Sequence, residues 1–195
     1  MSFTEEEIVF NTKRLSIRTP LPVKKDIELF FSIWRNPKIM KKMGFPHGLQ
    51  ITWEEIREQI TKANSVKQIF NRPLIVEKEG DKKIIIGECF LGWPDKSGVS
   101  ETDVKILPEF WGNKFGQEIK KGLLFYLFEN YPCVAVKATP NKSNPASIKM
   151  QEAVGGKRTG EGVFKIPQSS KELRCEVPYF EYLVKKEDFF RLFSR

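Results

Sequence analysis

Alternating apolar and polar residues predict the first strands of the chain. Across Arg14 to Thr19, Leu15 and Ile17 alternate with polar neighbours, as they do in a strand that buries one face. Three later segments are rich in Ile and Val and are separated by turn residues such as Gly80-Asp81. They are Leu74 to Glu79, Lys83 to Trp93 and Val99 to Leu107. Because short strands joined by tight turns usually pair with their neighbours, these segments predict an antiparallel meander.

Apolar residues at helical spacing predict two helices between the first strand and the meander. The first spans Asp26 to Met40, with a break at Asn36-Pro37 because the residue before a proline avoids the helical conformation. The second begins after Thr52, where Glu55 three residues further on completes the sequence pattern of a capping box. Both helices therefore belong to the connection that precedes the meander.

The second half of the chain mixes helical and strand patterns. An apolar stripe predicts a long helix over Gly112 to Asn130, and Asn144 followed by Pro145 predicts a short helix that ends at Gly155-Gly156. Further apolar runs predict strands at Val134 to Thr139, Gly162 to Ile166 and Cys175 to Val184, and the charged segment Lys186 to Arg195 allows one more helix. A strand-helix-strand unit after a meander indicates a mixed sheet of about seven strands with helices on both faces, an α/β (α+β) fold.

The composition predicts a single globular domain over residues 1–195. The chain has 195 residues, 40% of them hydrophobic, with 16 Phe and 4 Trp, which suffices for one packed core and is short for two ordinary domains. The first residues lack a basic start and an apolar stretch, and no segment approaches the ~20 apolar residues of a membrane span. We therefore expect a cytoplasmic protein without membrane contact.

Cysteine and histidine are too few and too scattered for several kinds of site. Cys89, Cys133 and Cys175 lie far apart and form no C-x-x-C pair, so free thiols are expected rather than a disulfide framework or a zinc knuckle. His47 is the only histidine and lies among turn residues, which argues against Cys-His or Ser-His-Asp catalysis and against His-based metal sites. We expect no bound metal.

A net charge of +8 suits a polyanionic partner, and a nucleotide cofactor satisfies it as well as a nucleic acid does. Basic and aromatic residues interleave along the long helix, as they do in some nucleic-acid-binding surfaces. They are Lys114, Phe115, Lys120, Lys121, Phe125 and Tyr126. The helical spacing, however, places the aromatic residues on the buried stripe, with Lys120 and Lys121 largely opposite. This argues against a nucleic-acid-binding module.

The segment Leu107 to Glu118 (LPEFWGNKFGQE) predicts a phosphate site at the start of the long helix. A helix N-terminus exposes unpaired backbone N–H groups and a partial positive charge, so a phosphate placed there satisfies donors that otherwise face water. Small residues let the backbone approach closely, and Lys114 adds a charge-assisted contact. An ordinary helix start would explain the same residues.

The order of elements and three motifs resemble the GNAT acetyltransferases, especially the subgroup of ribosomal-protein N-terminal acetyltransferases. The motifs are RLSIR at Arg14 to Arg18, the junction at Leu107 to Glu118, and NPASIKMQEAVGG at Asn144 to Gly156. In that family the junction holds the pyrophosphate of acetyl-CoA, and the third motif is the second helix of the coenzyme site. The resemblance implies direct transfer of an acetyl group from acetyl-CoA to a primary amine, on a peptide N-terminus or a small molecule.

The resemblance also implies roles for individual residues. Glu101 aligns with a frequent general base, Asp103 faces the same side of its strand, and Ser147 occupies a position proposed to touch the sulfur. The residues implied to bind the coenzyme are Ile106, Leu107, Asn113, Lys114, Phe115, Gly116, Gln117, Asn144 and Lys149. Two carboxylates on one face predict either a pKa raised towards neutrality or a surface for a cationic substrate. A helix cap and its first turn would explain Asn144 and Ser147 equally well.

Two positions depart from the family pattern. Lys114 stands where the family usually has Gly, and Gln151 stands where many members have the Tyr that acts as general acid. Ser147, water, Tyr179 or Tyr182 would then supply the proton. A GNAT fold that binds the coenzyme without turnover therefore remains an alternative. The sequence also leaves open the identity of the acceptor and the existence of a homodimer.

Overall fold

The computed structural model describes residues 5–165 and 175–193. The strands in these ranges are β1 (Ile8–Asn11), β2 (Leu15–Arg18), β3 (Pro73–Lys78), β4 (Ile84–Leu91), β5 (Val99–Ile106), β6 (Ala135–Ala138), β7 (Lys157–Phe164) and β8 (Val177–Lys185). The helices are α1 (Lys24–Trp34), α2 (Pro37–Met40), α3 (Trp53–Ser65), α4 (Phe115–Asn130), α5 (Pro145–Glu152) and α6 (Lys186–Phe193). None of these helices combines the length and the apolar character needed to cross a membrane.

The strands form one mixed sheet in the order β1-β2-β3-β4-β5-β6-β8-β7. Neighbouring strands are antiparallel except β5 and β6, which are parallel and pair only through Val99 to Glu101 and Ala135 to Lys137. Beyond Glu101, β5 continues beside β4, but it no longer pairs with β6. The two strands separate there, and we call the opening between them the fork.

Helices cover both faces of the sheet. On one face, α4 packs against β5 and buries residues such as Leu123 in a core with Val136 of β6. On the other face, α1 and α3 bury Ile33 and Ile56 against Ile75 of β3. The fork therefore opens between two apolar layers, each of which packs against one face of the sheet.

A buried ionic cluster ties α1 to the sheet. Arg18 on β2 is fully buried, and its two terminal nitrogens each donate to Asp26 of α1 at 2.8 Å. Its Nε donates to Glu77 of β3, also at 2.8 Å. Burial works to lower the pKa of Arg18, but the two carboxylates raise it above its ordinary value. The guanidinium therefore stays charged and fixes the start of α1 on two strands.

The structure confirms the predicted mixed α/β fold and corrects the strand bounds. The described sheet has eight strands rather than about seven, because Ile8–Asn11 pairs with β2. This segment is too short to show a reliable period in the sequence. β7 starts at Lys157, well before the predicted Gly162, because its first half also pairs with β8. The predicted end of that strand at Ile166 lies outside the described residues.

The helix bounds and one lysine also differ from expectation. The predicted break at Asn36-Pro37 is confirmed, since Asn36 caps a separate short helix that begins at Pro37, but the first helix starts at Lys24 rather than at Asp26. The long helix starts at Phe115 rather than at Gly112, because the intervening loop contains positive φ angles. Lys120 was expected opposite the apolar stripe, but it is only 1% exposed. A single stripe therefore underestimates how much of α4 the sheet covers.

Candidate active site

The helix α4 begins without a side-chain cap. Lys114, its N-cap residue, has a φ of 61° in the left-handed region and makes no capping hydrogen bond. By contrast, Thr52 and Glu55 form the predicted capping box at α3, and Asn144 caps α5. The first backbone N–H groups of a helix have no acceptor within the helix. Those of Phe115 and the two residues after it are therefore placed to bind an anion.

Side chains hold the loop before α4 in one shape. Trp111 Nε1 donates to the Ile106 carbonyl at 2.8 Å, and Asn113 Nδ2 donates to the Trp111 carbonyl at 3.2 Å. Arg14, on the turn between β1 and β2, donates to the Asn113 carbonyl at 3.2 Å and pairs with Glu118 at 2.6 Å. The predicted binding residue Asn113 thus uses its side chain within the loop, which leaves the loop pre-organised.

The backbone at this helix end is open to a ligand. A Cβ placed on Gly112 would meet nothing within 4 Å, and one on Gly116 would meet only Met150 Sδ at 3.4 Å. The side chain of Phe115 is buried in the core, so only its backbone faces the site. The predicted residue Gln117 is partly exposed on the first turn. The helix end therefore offers donors and room that fit a phosphate group.

The edge of β5 that faces the fork carries main-chain polar groups. The Leu107 N–H donates to the Ile86 carbonyl of β4 at 2.9 Å. Because main-chain groups along a strand alternate in direction, those of Thr102, Val104 and Ile106 point into the fork. The predicted residues Ile106 and Leu107 therefore differ, since the Leu107 N–H is bonded within the sheet, whereas the Ile106 N–H lies on the open edge and the Ile106 carbonyl accepts from Trp111 Nε1.

Glu101 and Asp103 lie on the same face of β5, as alternation predicts, but in different surroundings. Glu101 is exposed at the last paired position of β5 and β6. Asp103 Oδ1 accepts from the Val104 N–H at 2.9 Å, and Oδ2 lies 2.5 Å from Lys105 Nζ. Burial works to raise the pKa of Asp103, but Lys105 outweighs it and holds the pKa below its ordinary value. The expectation of a raised carboxylate pKa is therefore wrong for Asp103.

The partners of Asp103 form a network that the sequence did not reveal. Lys105 Nζ also lies 2.9 Å from Glu88 Oε1 on β4, and Trp34 Nε1 of α1 donates to Glu88 at 3.0 Å. Burial works to lower the pKa of Lys105, but the two carboxylates raise it above its ordinary value. The one signal was a charged residue, Glu88, within the otherwise apolar run of β4. The network joins α1, β4 and β5 on the face that carries Glu101.

On α5, the predicted residues Asn144 and Ser147 form a helix cap. Asn144 Oδ1 accepts from the Ser147 N–H at 3.2 Å, and both residues are partly exposed. Lys149 is exposed on the same helix. Gln151 is only 3% exposed, and its Oε1 has no hydrogen-bond partner in the described part of the chain. An unsatisfied buried acceptor therefore occupies the position where the family pattern has a tyrosine.

The two tyrosines of β8 that were considered as acids lie on opposite faces of the sheet. The Tyr182 hydroxyl donates to Glu152 Oε1 of α5 at 3.0 Å, and burial together with this bond raises its pKa. Tyr179 lies on the face that carries Glu101, and its ring packs on Phe164 with centroids 4.3 Å apart. The Tyr182 hydroxyl is therefore engaged in a hydrogen bond to α5.

Comparison with known proteins decides the family. The family model described as the acetyltransferase (GNAT) domain matches residues 14–157. The chain belongs to the GNAT acetyltransferase family. The likeness first seen in the sequence motifs is thus confirmed at the level of the family, and the fork and the uncapped helix lie within the matched range.

Individual relatives of this GNAT acetyltransferase are distant in sequence. An uncharacterized N-acetyltransferase, p20, from Bacillus licheniformis is 24% identical over 177 residues, which cover 90% of this chain and 96% of the relative. The spermidine N-acetyltransferase from Vibrio cholerae, solved with CoA and spermine, has a TM-score of 0.73 and 18% identity over 91% of this chain and 98% of that one. A candidate ribosomal-protein-serine acetyltransferase from Vibrio cholerae has a TM-score of 0.70 and 13% identity over 95% and 99%.

Proposed function

We propose that this chain moves an acetyl group from acetyl-CoA to a primary amine by direct transfer. The observation that carries the proposal is the uncapped N-terminus of α4 beside the fork between β5 and β6. A protein of similar fold was solved with CoA and spermine, which supports both the coenzyme and an amine acceptor. The acceptor here is the amine of a peptide N-terminus or of a small molecule.

The pyrophosphate of the coenzyme would lie at the start of α4. The backbone N–H groups of Phe115, Gly116 and Gln117 would donate to it, and the Lys114 ammonium would add a charge-assisted contact. A groove of about 750 Å³ is lined by Lys114 and Gln117 at this helix end and by Lys121 further along α4. Its basic side chains suit the phosphorylated nucleotide end of the coenzyme.

The pantetheine arm of the coenzyme would run through the fork. It would bond to the open edge of β5 at Val104 and Ile106, and Asn144 and Ser147 would approach it from α5, with Lys149 nearby. Asp103 holds the Val104 N–H at 2.9 Å, so an arm that uses this donor has to displace the carboxylate. The thioester would then supply the acetyl group at the base of the fork.

The acceptor amine would approach from the face that carries Glu101. Among the described residues of this face, the carboxylates Glu101, Asp103, Glu88 and Glu181 outnumber the ammonium groups of Lys105 and Lys137, which favours a cationic amine. Glu101 is exposed and free to serve as general base for the acceptor nitrogen. Asp103 is held as an anion by Lys105 and is better suited to bind a positive charge than to take a proton.

A thermal-shift titration followed by a thiol-release assay tests the function. Acetyl-CoA should raise Tm, because a ligand that binds only the native state adds about 2.7 kcal/mol of stability at 100 times its Kd. Thiol release should then appear with at least one amine in a panel of peptide N-termini, polyamines and aminoglycosides. The absence of any shift at millimolar coenzyme would contradict the proposal.

Coenzyme binding without turnover is the second candidate function. The buried Gln151 favours it, because an amide in the place of a tyrosine hydroxyl is no proton donor at neutral pH. A Tm shift by acetyl-CoA with no thiol release across the panel would identify this case. A peptide acceptor, as in the ribosomal-protein subgroup, is supported by the RLSIR motif, and ribosomal-protein N-terminal peptides therefore belong in the panel.

Glu101→Gln is expected to lower kcat by about 10²-fold or more, since general bases typically contribute that much. The rise of the rate with pH should flatten, whereas the Tm shift caused by acetyl-CoA should persist. Glu58→Gln, which removes an exposed carboxylate from α3, serves as the control and should match the wild type. An unchanged pH profile in Glu101→Gln would exclude Glu101 as the base.

A further inference from the structure

α4 carries a buried lysine that neither the coenzyme contacts nor the acceptor face explains. Lys120 is 1% exposed, and its Nζ donates to Thr102 Oγ1 of β5 at 2.5 Å. Lysine is almost never fully buried without a charged partner. Within the described ranges, no carboxylate oxygen forms an ion pair with Nζ, so Thr102 is its direct partner.

The position of Lys120 in the fold is informative. Thr102 is the first residue of β5 beyond the last β5–β6 pair, so Lys120 Nζ lies at the base of the fork. Neighbouring side chains of a strand point to opposite faces, and Thr102 therefore faces α4 while Glu101 faces the acceptor side. A thioester at the base of the fork would have Glu101 on one side and Lys120 on the other.

We propose that Lys120 donates the proton to the leaving thiolate, an inference that rests on the proposed acetyl transfer. The acceptor nitrogen, once it has lost the proton of its ammonium form, uses its lone pair to form a bond to the acetyl carbonyl carbon, the C–S bond breaks, and its electron pair stays on sulfur. The Lys120 ammonium gives one proton to that sulfur, which leaves a free thiol and a neutral lysine. The acceptor nitrogen loses one proton to Glu101 and then to solvent, and Lys120 regains one from solvent.

The surroundings of Lys120 suit a proton donor that works at neutral pH. Burial lowers its pKa to about 7, and the negative charge of Asp103 opposes this shift. Asp103 is the charged group that acts on it from β5. Other titratable groups on the elements packed around it include Cys89 on β4, Glu101 and Lys105 on the opposite face of β5, Tyr182 on β8, Lys149 and Glu152 on α5, and Glu118 and Lys121 on α4. The Cys89 thiol is neutral because burial raises its pKa, and Tyr182 and Glu152 are bonded to each other.

Among the described residues, the neighbouring elements that line this side of the fork carry no better donor. Gln151 carries an amide, and Tyr182 has a raised pKa and donates to Glu152. Ser147 has a hydroxyl whose proton is far less acidic than an ammonium of neutral pKa. On the α4 side of the fork, Lys120 is therefore the group whose proton is acidic enough to be donated to the leaving thiolate at neutral pH.

The first test is kcat against pH for the wild type, Lys120→Met and Lys120→Arg. The protonated form is the active donor, so the wild-type rate should fall as pH rises through about 7. Both variants should lose this falling limb, because Met has no proton and Arg stays protonated, and kcat should drop about 10²-fold or more. Lys62→Met, at an exposed lysine of α3, should keep the wild-type profile. A falling limb that persists in Lys120→Met would overturn the proposal.

The second test needs no turnover and uses protein whose lysines carry ¹³C at Cε. One lysine signal, absent from Lys120→Arg, should titrate near neutral pH. CoA, which brings its thiol into the fork, should shift that titration, whereas desulfo-CoA should not. Equal shifts with both compounds, or none with either, would overturn the contact with sulfur. If the CoA shift occurs but the wild type releases no thiol with any amine, the acetyl transfer itself is refuted, whereas the contact stands.

Discussion

At the scale of single residues, Lys114 combines a shape requirement with a charge. Its φ of 61° is a conformation that glycine adopts freely and that costs other residues about 1 kcal/mol. The residue stands where the chain turns into α4 and where we place the pyrophosphate. A lysine in such a position is explained if the free energy that its ammonium adds to coenzyme binding exceeds the folding free energy that its left-handed backbone costs.

Lys114→Gly should therefore have two opposite effects. The free energy of unfolding should rise by about 0.5–1 kcal/mol because the left-handed strain disappears. The Kd for acetyl-CoA should rise several-fold because a phosphate contact is lost. Urea unfolding and calorimetric titration measure the two quantities. Lys114→Ala is the matched control, since it removes the charge and keeps the strain; a glycine variant that binds as tightly as the wild type would deny the ammonium a role.

At the scale of elements, the position of α1 depends on charged side chains that are buried away from water. Arg18 bonds to Asp26 and Glu77 with all three residues almost fully buried. Such a cluster is not strongly stabilising as a whole, but removal of one partner leaves a buried charge without compensation. α1 also supplies Trp34 to the Glu88 network, so its placement affects the acceptor face.

Asp26→Asn should lower the free energy of unfolding by about 3 kcal/mol, because Arg18 then keeps a buried charge with a weaker partner. Glu28→Gln is the control on the same helix. Glu28 is half exposed and pairs loosely with Lys24 at 3.8 Å, so its loss should change stability by less than about 0.5 kcal/mol. Chemical unfolding of both variants decides the matter. Similar losses in the two would mean that the cluster around Arg18 is not the anchor of α1.

At the scale of the whole molecule, the sequence predicted what local patterns determine. The capping box at Thr52, the meander and the start signals of α5 act over a few residues, and the structure confirms them. The fork was not predictable from residue patterns, because the length over which β5 and β6 pair depends on packing between distant segments. The burial of Lys120 was missed for the same reason, since β5 covers a flank of α4 that the apolar stripe does not mark.

The candidate site likewise has parts that the sequence predicted and parts that it did not. The motifs located the uncapped start of α4 and the cap residues Asn144 and Ser147 at the start of α5. They did not reveal that Lys105 holds Asp103 as an anion or that Glu88 and Trp34 complete its network. Asp103 and Lys105 are close in the chain, but Glu88 meets Lys105 through the register of β4 against β5 and meets Trp34 through the packing of α1 on the sheet.

The short pairing of β5 with β6 has a mechanical consequence. Three residues of each strand form the seam between the half-sheet β1–β5 and the half-sheet β6–β8, whereas β3 and β4 pair over six positions. A seam this short should allow the two half-sheets to move relative to each other, and a coenzyme bound in the fork would restrict that motion. Hydrogen–deuterium exchange should therefore slow in β6 and β8 when CoA binds, with β3 unchanged. Equal slowing of exchange in all strands would contradict this expectation. Slowing confined to β6 and β8 would mean that the coenzyme stabilises the seam as well as taking part in the reaction.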